Sequence, residues 1–337
     1  MRSVVLAILA AAILGTLGTS ARAEDNVSVQ LDYVVRGTHA MFFVAKQKGY
    51  FAKQGINVTA IRRGTGSPNA MRLVGNGDAE FGFGDLPTLA VARSQNVPVV
   101  AIAAVNQHSP LAMLALASKH KLEKPQDLKG LNIGVQPSGS TYVFLTAFLK
   151  ANGMSLDDIK QSTVNPPYEN YLLLGRVDAV PGYLDAEVPE LEAKAGGPGS
   201  LSIMQGSKFG YVVYGSGLFT SEKMIAEHSD LVQRFVNAYL QAFGDVIKNP
   251  EEAADLTVKE NPDYAEKKDV LLQQIKADVT YTFTNQDTKA NGLGAMSLDT
   301  WQKTINTLVD QGAMKQSTDP AKAFTDKYQS AAKAAKL

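Results

Sequence analysis

The chain has 337 residues, with 33 basic and 33 acidic side chains and no cysteine. This length predicts about two domains, and the balanced charge does not indicate binding to nucleic acid or to an anionic membrane. Because cysteine is absent, disulfides, thiolate metal sites, a cysteine nucleophile and a lipid anchor on an N-terminal cysteine are excluded.

The first 23 residues differ in kind from the rest of the chain. Arg2 precedes a mainly apolar stretch over residues 4–17, and an A-x-A site ends at Ala23. This pattern is typical of a secretory signal peptide, and the apolar run is short for a membrane span, which needs about 20 residues. We expect residues 1–23 to be removed and residues 24–337 to be exported to a bacterial periplasm without membrane insertion; a retained anchor is the alternative.

Helix and strand patterns alternate after this segment. Apolar residues at alternate positions from Val27 to Val35 predict a half-buried strand. The elements predicted next, in chain order, are a helix over 40–48, a strand over 56–61, a helix over 68–74, a strand near 81–85, a helix over 89–93 and a strand over 97–105. Such alternation predicts a mostly parallel sheet.

The same alternation restarts after Pro110. Its predicted strands lie near 111–117, 127–136, 159–164, 177–180 and 201–204, and its predicted helices near 137–153, 168–175 and 185–195. Residues 211–217 then return to the first unit, and the chain from Ser221 onward is mostly helical. We therefore predict two α/β lobes, one formed by 24–109 with 216–337 and the other by 110–215. A double crossing of this kind can act as a hinge, with a ligand cleft between the lobes.

No pattern of catalysis or metal binding is present. The stretch "GNGDAEFG" fails the G-x-G-x-x-G pattern because Glu80 occupies the place of the last glycine. The four histidines lack the spacing of metal ligands. We expect no enzyme activity, no cofactor and no metal site.

Polar residues recur where the predicted strands end, which is where parallel sheets bind ligands. The loops are "RGTH", "GTGS", "FGFGD" and "PSGST". Their candidate ligand-binding residues are Arg36, His39, Thr65, Ser67, Asp85, Ser138, Gly139, Ser140 and Thr141. The hydroxyls and N–H groups of "PSGST" suit an oxyanion or the polar edge of a heterocycle, and an ordinary serine cap is the alternative.

Five stretches resemble the bacterial nitrate/sulfonate/taurine and thiamine-pyrimidine-precursor family of ABC-transporter solute-binding proteins. They are "VAKQKGYFAKQGINV", "LVGNGDAEFGFGD", "VPVVAIAAVNQ", "KPQDLKGLNIGV" and "GRVDAV". The resemblance runs from about Leu31 to Asp230, and more loosely to Gly312. It implies the two-lobed type II periplasmic binding protein fold, with a mostly parallel, helix-flanked sheet in each lobe.

The resemblance also implies roles for individual residues. Asp32, Tyr33 and the turn from Arg36 to His39 would line the first wall of the cleft. His39 matches the histidine that ends this turn in pyrimidine-precursor binders, whereas Arg36 departs from their asparagine-rich pattern. Three residues of "GYLDAEVPEL" would offer stacking and hydrogen-bond acceptors, and two further tyrosines are stacking candidates. These five residues are Tyr183, Asp185, Glu187, Tyr168 and Tyr214.

The implied function is capture of a small organic, aromatic or heteroaromatic ligand and its delivery to a membrane permease by a monomeric protein. One alternative is an oxyanion such as an alkanesulfonate, taurine or nitrate, bound by Arg36 and "SGST". Others are a pyrimidine-synthase-like enzyme and a carrier that docks on a sensory receptor. The structural alternatives are a solvated Arg36, a His39 that only begins a helix, and tyrosines that only pack.

Overall fold

The computed structural model describes residues 24–137, 139–165, 167 and 169–329. The predicted signal peptide, Ser138 and Tyr168 lie outside these residues. The described chain forms two five-stranded sheets flanked by helices. Its strands are β1 (Asp25–Gln30), β2 (Ile56–Arg62), β3 (Phe81–Asp85), β4 (Val99–Ala104), β5 (Leu111–Leu116), β6 (Asn132–Val135), β7 (Lys160–Thr163), β8 (Ala179–Tyr183), β9 (Leu201–Gln205) and β10 (Ser216–Ser221).

Both sheets are mostly parallel, as predicted. The first sheet has the order β2-β1-β3-β10-β4, and β10 runs antiparallel to both of its neighbours. The second has the order β7-β6-β8-β5-β9, and β5 is its antiparallel strand. The carboxyl ends of the parallel strands therefore gather at one edge of each sheet, where ligand sites form.

The helices cover both faces of each sheet. They are α1 (Ala40–Gln47), α2 (Tyr50–Lys53), α3 (Ser67–Asn76), α4 (Leu86–Ser94), α5 (Ser140–Ala151), α6 (Glu169–Leu173), α7 (Glu187–Ala195), α8 (Glu222–Glu227), α9 (Ser229–Lys248), α10 (Pro250–Glu260), α11 (Lys268–Tyr281), α12 (Gln286–Asn291), α13 (Leu298–Asp310) and α14 (Pro320–Ala323). Gly49 ends α1 with a φ of 70°, which glycine adopts without steric cost. Within the described ranges, none of these helices combines the length and apolar character needed to cross a membrane.

The first strand differs from its prediction in two ways. It ends at Gln30 rather than Val35, and Val27 to Gln30 are buried on both faces rather than on one. The reason is that helices pack on both faces of the sheet at β1, with α1 and α9 on one face and α3 on the other. Its polar side chains are satisfied there, because Ser28 bonds to Glu80 and Gln30 donates to backbone carbonyls. Residues 31–35 leave the sheet and lead to the site.

Two segments connect the sheets, as the double crossing predicted. Residues 105–110 lead from β4 to β5, and residues 206–215 lead from β9 to β10. They run side by side: the N–H of Ser109 donates to the carbonyl of Val213, and the N–H of Gly215 donates to that of Asn106. The lobe boundaries and the hinge position remain predictions.

Candidate functional site

A pocket lies between residues of the two units of the chain. Residues that follow β1, β2 and β6, together with the end of β8 and the start of α7, line it. The lining residues are Asp32, Tyr33, Arg36, Gly66, Ser67, Gln136, Gly139, Ser140, Thr141, Tyr183 and Glu187. The ends of parallel strands thus build the site from both units of the chain.

Arg36 lies in the middle of this arrangement and is 6% exposed. Its Nη2 lies 3.2 Å from Asp32 Oδ2, and its Nη1 lies 3.2 Å from Glu187 Oε1. The guanidinium carbon is 5.2 Å from the ring centroid of Tyr33 and 4.8 Å from that of Tyr183. Arg36 therefore joins an acid and an aromatic ring from each side of the cleft. The structure contradicts its interpretation as a solvated charge.

The side chain of His39 lies outside the cavity lining and contacts the carboxylate of Asp32. The imidazole is fully buried, its Nδ1 accepts from the backbone N–H of Arg36, and its Nε2 lies 2.9 Å from Asp32 Oδ1. Because Nδ1 is an acceptor, the proton is on Nε2, which donates to the carboxylate. Burial lowers the pKa of His39 despite the opposing effect of Asp32, so the ring is neutral near pH 7.

Asp32 is ionised in this site. Burial by itself raises the pKa of Asp32, but the Arg36 guanidinium and the hydrogen bond from His39 outweigh burial and hold the pKa below its ordinary value. Ser67 is also close, with its Oγ 3.5 Å from Asp32 Oδ2. The first wall of the cavity therefore presents a fixed carboxylate.

The opposite wall combines an aromatic ring with a second acid. Tyr183 ends β8, and its hydroxyl lies 2.8 Å from Ser140 Oγ at the start of α5. Burial raises the pKa of Tyr183 well above its ordinary value, which keeps the phenol neutral. Glu187 begins α7 and accepts from the backbone N–H of Tyr183 at 2.8 Å. This bond fixes the carboxyl group beside the ring.

Asp85 lies behind the first wall rather than on it. Its backbone N–H donates to Ser67 Oγ, while its Oδ2 caps α4 by accepting from the N–H and the hydroxyl of Thr88. Its Oδ1 is buried without a hydrogen-bond partner in the described structure. Burial raises the pKa of Asp85 to about 7, even though the two Thr88 bonds oppose that shift.

A second pair of buried acids lies at the first crossing segment, outside the pocket lining. Asn106, in the first crossing segment, donates through Nδ2 to Asp185 Oδ2 at 3.1 Å and to Asp278 Oδ1 at 2.7 Å. Burial and the nearby Asp185 raise the pKa of Asp278 well above its ordinary value. Because two adjacent carboxylates repel each other, this pair holds a proton.

The structure brings most of the predicted residues together. Tyr33, Arg36, Ser67, Gly139, Ser140, Thr141, Tyr183 and Glu187 line the cavity. His39 and Asp85 support it from behind. Thr65 lies at the rim, where its carbonyl accepts from Gln136 Nε2.

Tyr214 is not brought to the cavity. Its hydroxyl accepts from the backbone N–H of Ser297, and its ring centroid lies 5.6 Å from that of Trp301. This tyrosine packs α13 onto the second crossing segment. Ser138 and Tyr168 lie outside the described residues.

Sequence reasoning missed several residues of the site. Gly66 and Gln136 line the cavity, and Gln136 directly follows β6, so the strand-end rule could have identified it. Asn106 follows the strand predicted over 97–105, so the same rule could have identified it, whereas Asp278 carried no such signal. Asp278 sits within α11, and its role depends on how that helix packs against the crossing segment.

The chain belongs to the NMT1/THI5 like family, whose model matches residues 36–253. The riboflavin-binding protein RibY of Chloroflexus aurantiacus is 27% identical over 314 residues, covering 90% of this chain and 86% of that protein. The formylaminopyrimidine-binding protein of Halalkalibacterium halodurans is 25% identical over 330 residues, covering 96% and 97%. A 4-amino-5-hydroxymethyl-2-methylpyrimidine phosphate synthase of Saccharomyces cerevisiae is 26% identical over 238 residues, covering 68% and 69%.

Solved structures share the fold. The alkanesulfonate-binding protein SsuA of Xanthomonas axonopodis pv. citri, bound to MOPS, superposes with a TM-score of 0.69 at 16% identity, covering 90% of this chain and 99% of that one. The predicted family, the periplasmic binding protein fold and the solute-binding role are thereby confirmed.

Proposed function

We propose that this protein is the periplasmic, monomeric solute-binding component of an ABC importer, and that it captures a small planar nitrogen heterocycle. The ligand binds in the cavity between the lobes and is delivered to a membrane permease. The observation that carries this proposal is the pairing of two acids, Asp32 and Glu187, with two tyrosines, Tyr33 and Tyr183, around one space. Tyrosine faces suit a flat ring, and carboxylates accept hydrogen bonds from ring N–H or amino groups.

The charge of the cavity favours a ligand that donates hydrogen bonds. Among the described lining residues, two are acids and Arg36 is the one cation, and Arg36 already pairs with both acids. An oxyanion about 4 Å from a carboxylate would be repelled by roughly 4 kcal/mol at an effective dielectric constant of 20. Two relatives named above for nitrogen heterocycles, riboflavin and formylaminopyrimidine, support the same ligand class.

An oxyanion is the second candidate because of one feature. Gly139, Ser140 and Thr141 at the start of α5 line the cavity, and helix N-termini attract anions. The fold shared with an alkanesulfonate-binding protein is compatible with this reading.

We propose binding without catalysis. The matches to the riboflavin-binding and formylaminopyrimidine-binding proteins cover at least nine-tenths of this chain, whereas the match to the synthase covers 68%. A catalytic metal site built on thiolates needs cysteine, and this chain has no cysteine. The sulfur ligands that such a site requires are therefore missing.

Calorimetry tests the proposal with three probes: 4-amino-5-hydroxymethyl-2-methylpyrimidine, riboflavin and ethanesulfonate. We expect a heterocycle to bind and ethanesulfonate not to bind. Glu187→Gln should weaken binding of the heterocycle by about 2–5 kcal/mol, because it removes a buried charged acceptor. Glu192→Gln, on the same helix but bonded to the N–H of Gly199, is the matched control. Binding of ethanesulfonate alone would overturn the proposal.

A further inference from the structure

Two buried carboxyl groups lie side by side where α11 meets the turn between β8 and α7. Asp185 belongs to that turn, which follows β8 of the second sheet. Asp278 lies on α11, whose Ile275 is buried in the core that contains the strands of the first sheet. One turn earlier on α11, Gln274 donates to the carbonyl of Ala186 at 2.8 Å. The two acids therefore belong to a contact between the two units of the chain.

One amide group bonds to both acids. Nδ2 of Asn106 donates to Asp185 Oδ2 at 3.1 Å and to Asp278 Oδ1 at 2.7 Å, and the hydroxyl of Thr282 also donates to Asp278 Oδ1. The remaining oxygens, Asp185 Oδ1 and Asp278 Oδ2, are buried and receive no hydrogen bond from a donor of the described residues. A proton shared by these two oxygens would satisfy both and would remove the repulsion between two carboxylates.

The other titratable groups that act on the pair keep their charge state near pH 7. They are Arg36, Asp32, His39 and Tyr239. Arg36 stays cationic and Asp32 is ionised, whereas burial lowers the pKa of His39 and raises that of Tyr239, so both are neutral. Burial also raises the pKa of Asp185, and burial with the nearby Asp185 raises the pKa of Asp278 well above its ordinary value. The proton of the pair is therefore the one that can change.

We propose that the protein takes up a proton when its two units close around a ligand, and that Asp185 and Asp278 hold this proton between them. Two carboxyl groups that are separated in water are both ionised at neutral pH, whereas the buried pair shares a proton. This linkage rests on the function proposed above, because it requires closure of the units around a ligand. Since the pair lies outside the pocket lining, the linkage applies to a heterocycle and to an oxyanion alike.

Ligand binding should therefore weaken as the pH rises. The contribution of the pair to closure is complete below the ordinary carboxyl pKa of 3.8 and is lost as the pH rises toward the raised pKa of the pair. Uptake of a whole proton corresponds to about tenfold in affinity for each pH unit. We expect the wild type to lose affinity about tenfold or more between pH 6 and pH 8.

Asp278→Asn should remove this dependence and keep the contact. The oxygen of the amide accepts from Asn106 and Thr282, and its nitrogen donates to Asp185 Oδ1, as the protonated acid does. Asp185→Asn makes the same replacement from the other side. Asp269→Asn, at an exposed position in the first turn of α11, is the matched control and should behave like the wild type. Circular dichroism checks that all four proteins are folded.

The first arm is calorimetry with 4-amino-5-hydroxymethyl-2-methylpyrimidine, riboflavin and ethanesulfonate in phosphate and in Tris, whose heats of ionisation differ. With a probe that binds, the wild type and Asp269→Asn should take up about one more proton per ligand than Asp278→Asn. Comparison with the variant is needed because Asp85, with a pKa of about 7, also titrates in this range. Equal proton uptake and equal pH dependence in the wild type and Asp278→Asn would overturn the proposal.

The second arm needs no ligand. Because the chain has no cysteine, Arg72→Cys at an exposed position on α3 takes a single nitroxide label. Paramagnetic relaxation of amides in the second sheet then reports how often the two units are in contact. The ratio of this population in Asp278→Asn to that in the wild type should rise about tenfold or more between pH 6 and pH 8. An unchanged ratio would overturn the proposal. If no probe binds, the proposed ligand class fails, and this ratio still decides the proton linkage.

Discussion

Replacing Asp85 by asparagine should change how the stability of the protein depends on pH. The native carboxyl group has a pKa of about 7, against an ordinary value of 3.8. Its contribution to stability is therefore fully present below the unfolded-state pKa and is lost as the pH rises through the folded-state pKa. Three pKa units at 1.36 kcal/mol each correspond to about 4 kcal/mol over this window.

Asparagine can cap α4 in the same way but does not titrate. The difference in unfolding free energy between Asp85→Asn and the wild type should therefore shift in favour of the variant by about 2–3 kcal/mol between pH 5 and pH 8. The absolute difference is less informative, because asparagine places a buried amide where Oδ1 of Asp85 lacks a partner. The pH dependence of the difference in unfolding free energy reports the ionisation of the Asp85 carboxyl group alone.

Urea unfolding followed by tryptophan fluorescence makes this measurement. Trp301 is the single tryptophan of the chain, it is buried, and its helix α13 contacts α4, which Asp85 caps. Asp319→Asn, the same substitution at the exposed cap of α14, controls for the loss of a carboxylate. A difference that stays constant from pH 5 to pH 8 would refute the reasoning.

Three further predictions test the packing, the site and the export of the protein. Gly37→Ala should destabilise the protein by about 1–3 kcal/mol in urea unfolding, because a Cβ there would lie 2.6 Å from the Cβ of Gln274. Gly244→Ala is the control and should not destabilise the protein, because its Cβ would have no atom within 4 Å; equal effects of the two substitutions would contradict the packing at Gly37. Calorimetry with the pyrimidine probe should show that Tyr183→Ala lowers the affinity about tenfold or more. Tyr214→Phe should lower the stability by about 1 kcal/mol and change the affinity little; the reverse pattern would contradict the proposed position of the site. N-terminal sequencing of the exported protein should read Glu-Asp-Asn-Val from residue 24, and an intact N-terminus in the membrane fraction would contradict cleavage.

The residues at strand ends were predictable because their position follows from local pattern. The ends of parallel strands meet at one edge of a sheet, so Ser67, Ser140 and Tyr183 could be placed near a cleft without coordinates. The same rule would have found Gln136. The alternation of strands and helices likewise predicted two mostly parallel sheets and the double crossing.

The roles of other residues depended on contacts between distant parts of the chain. Arg36 and Glu187 are 151 positions apart, so no local pattern could distinguish a buried arginine between two acids from a solvated one. From the sequence alone, Tyr214 was as good a candidate for ring stacking as Tyr183. In the structure, Tyr214 packs against α13 and does not line the cavity. The end of β1 at Gln30 was hidden because the apolar alternation continues beyond it.

Native mass spectrometry of the protein purified from the periplasm of its own host tests the central claim most directly. The claim is that the cavity takes a planar heterocycle that donates hydrogen bonds to Asp32 and Glu187. It predicts a co-purifying small molecule whose accurate mass and fragments match a nitrogen heterocycle with ring N–H or amino groups. A bound alkanesulfonate, taurine or nitrate would contradict the account.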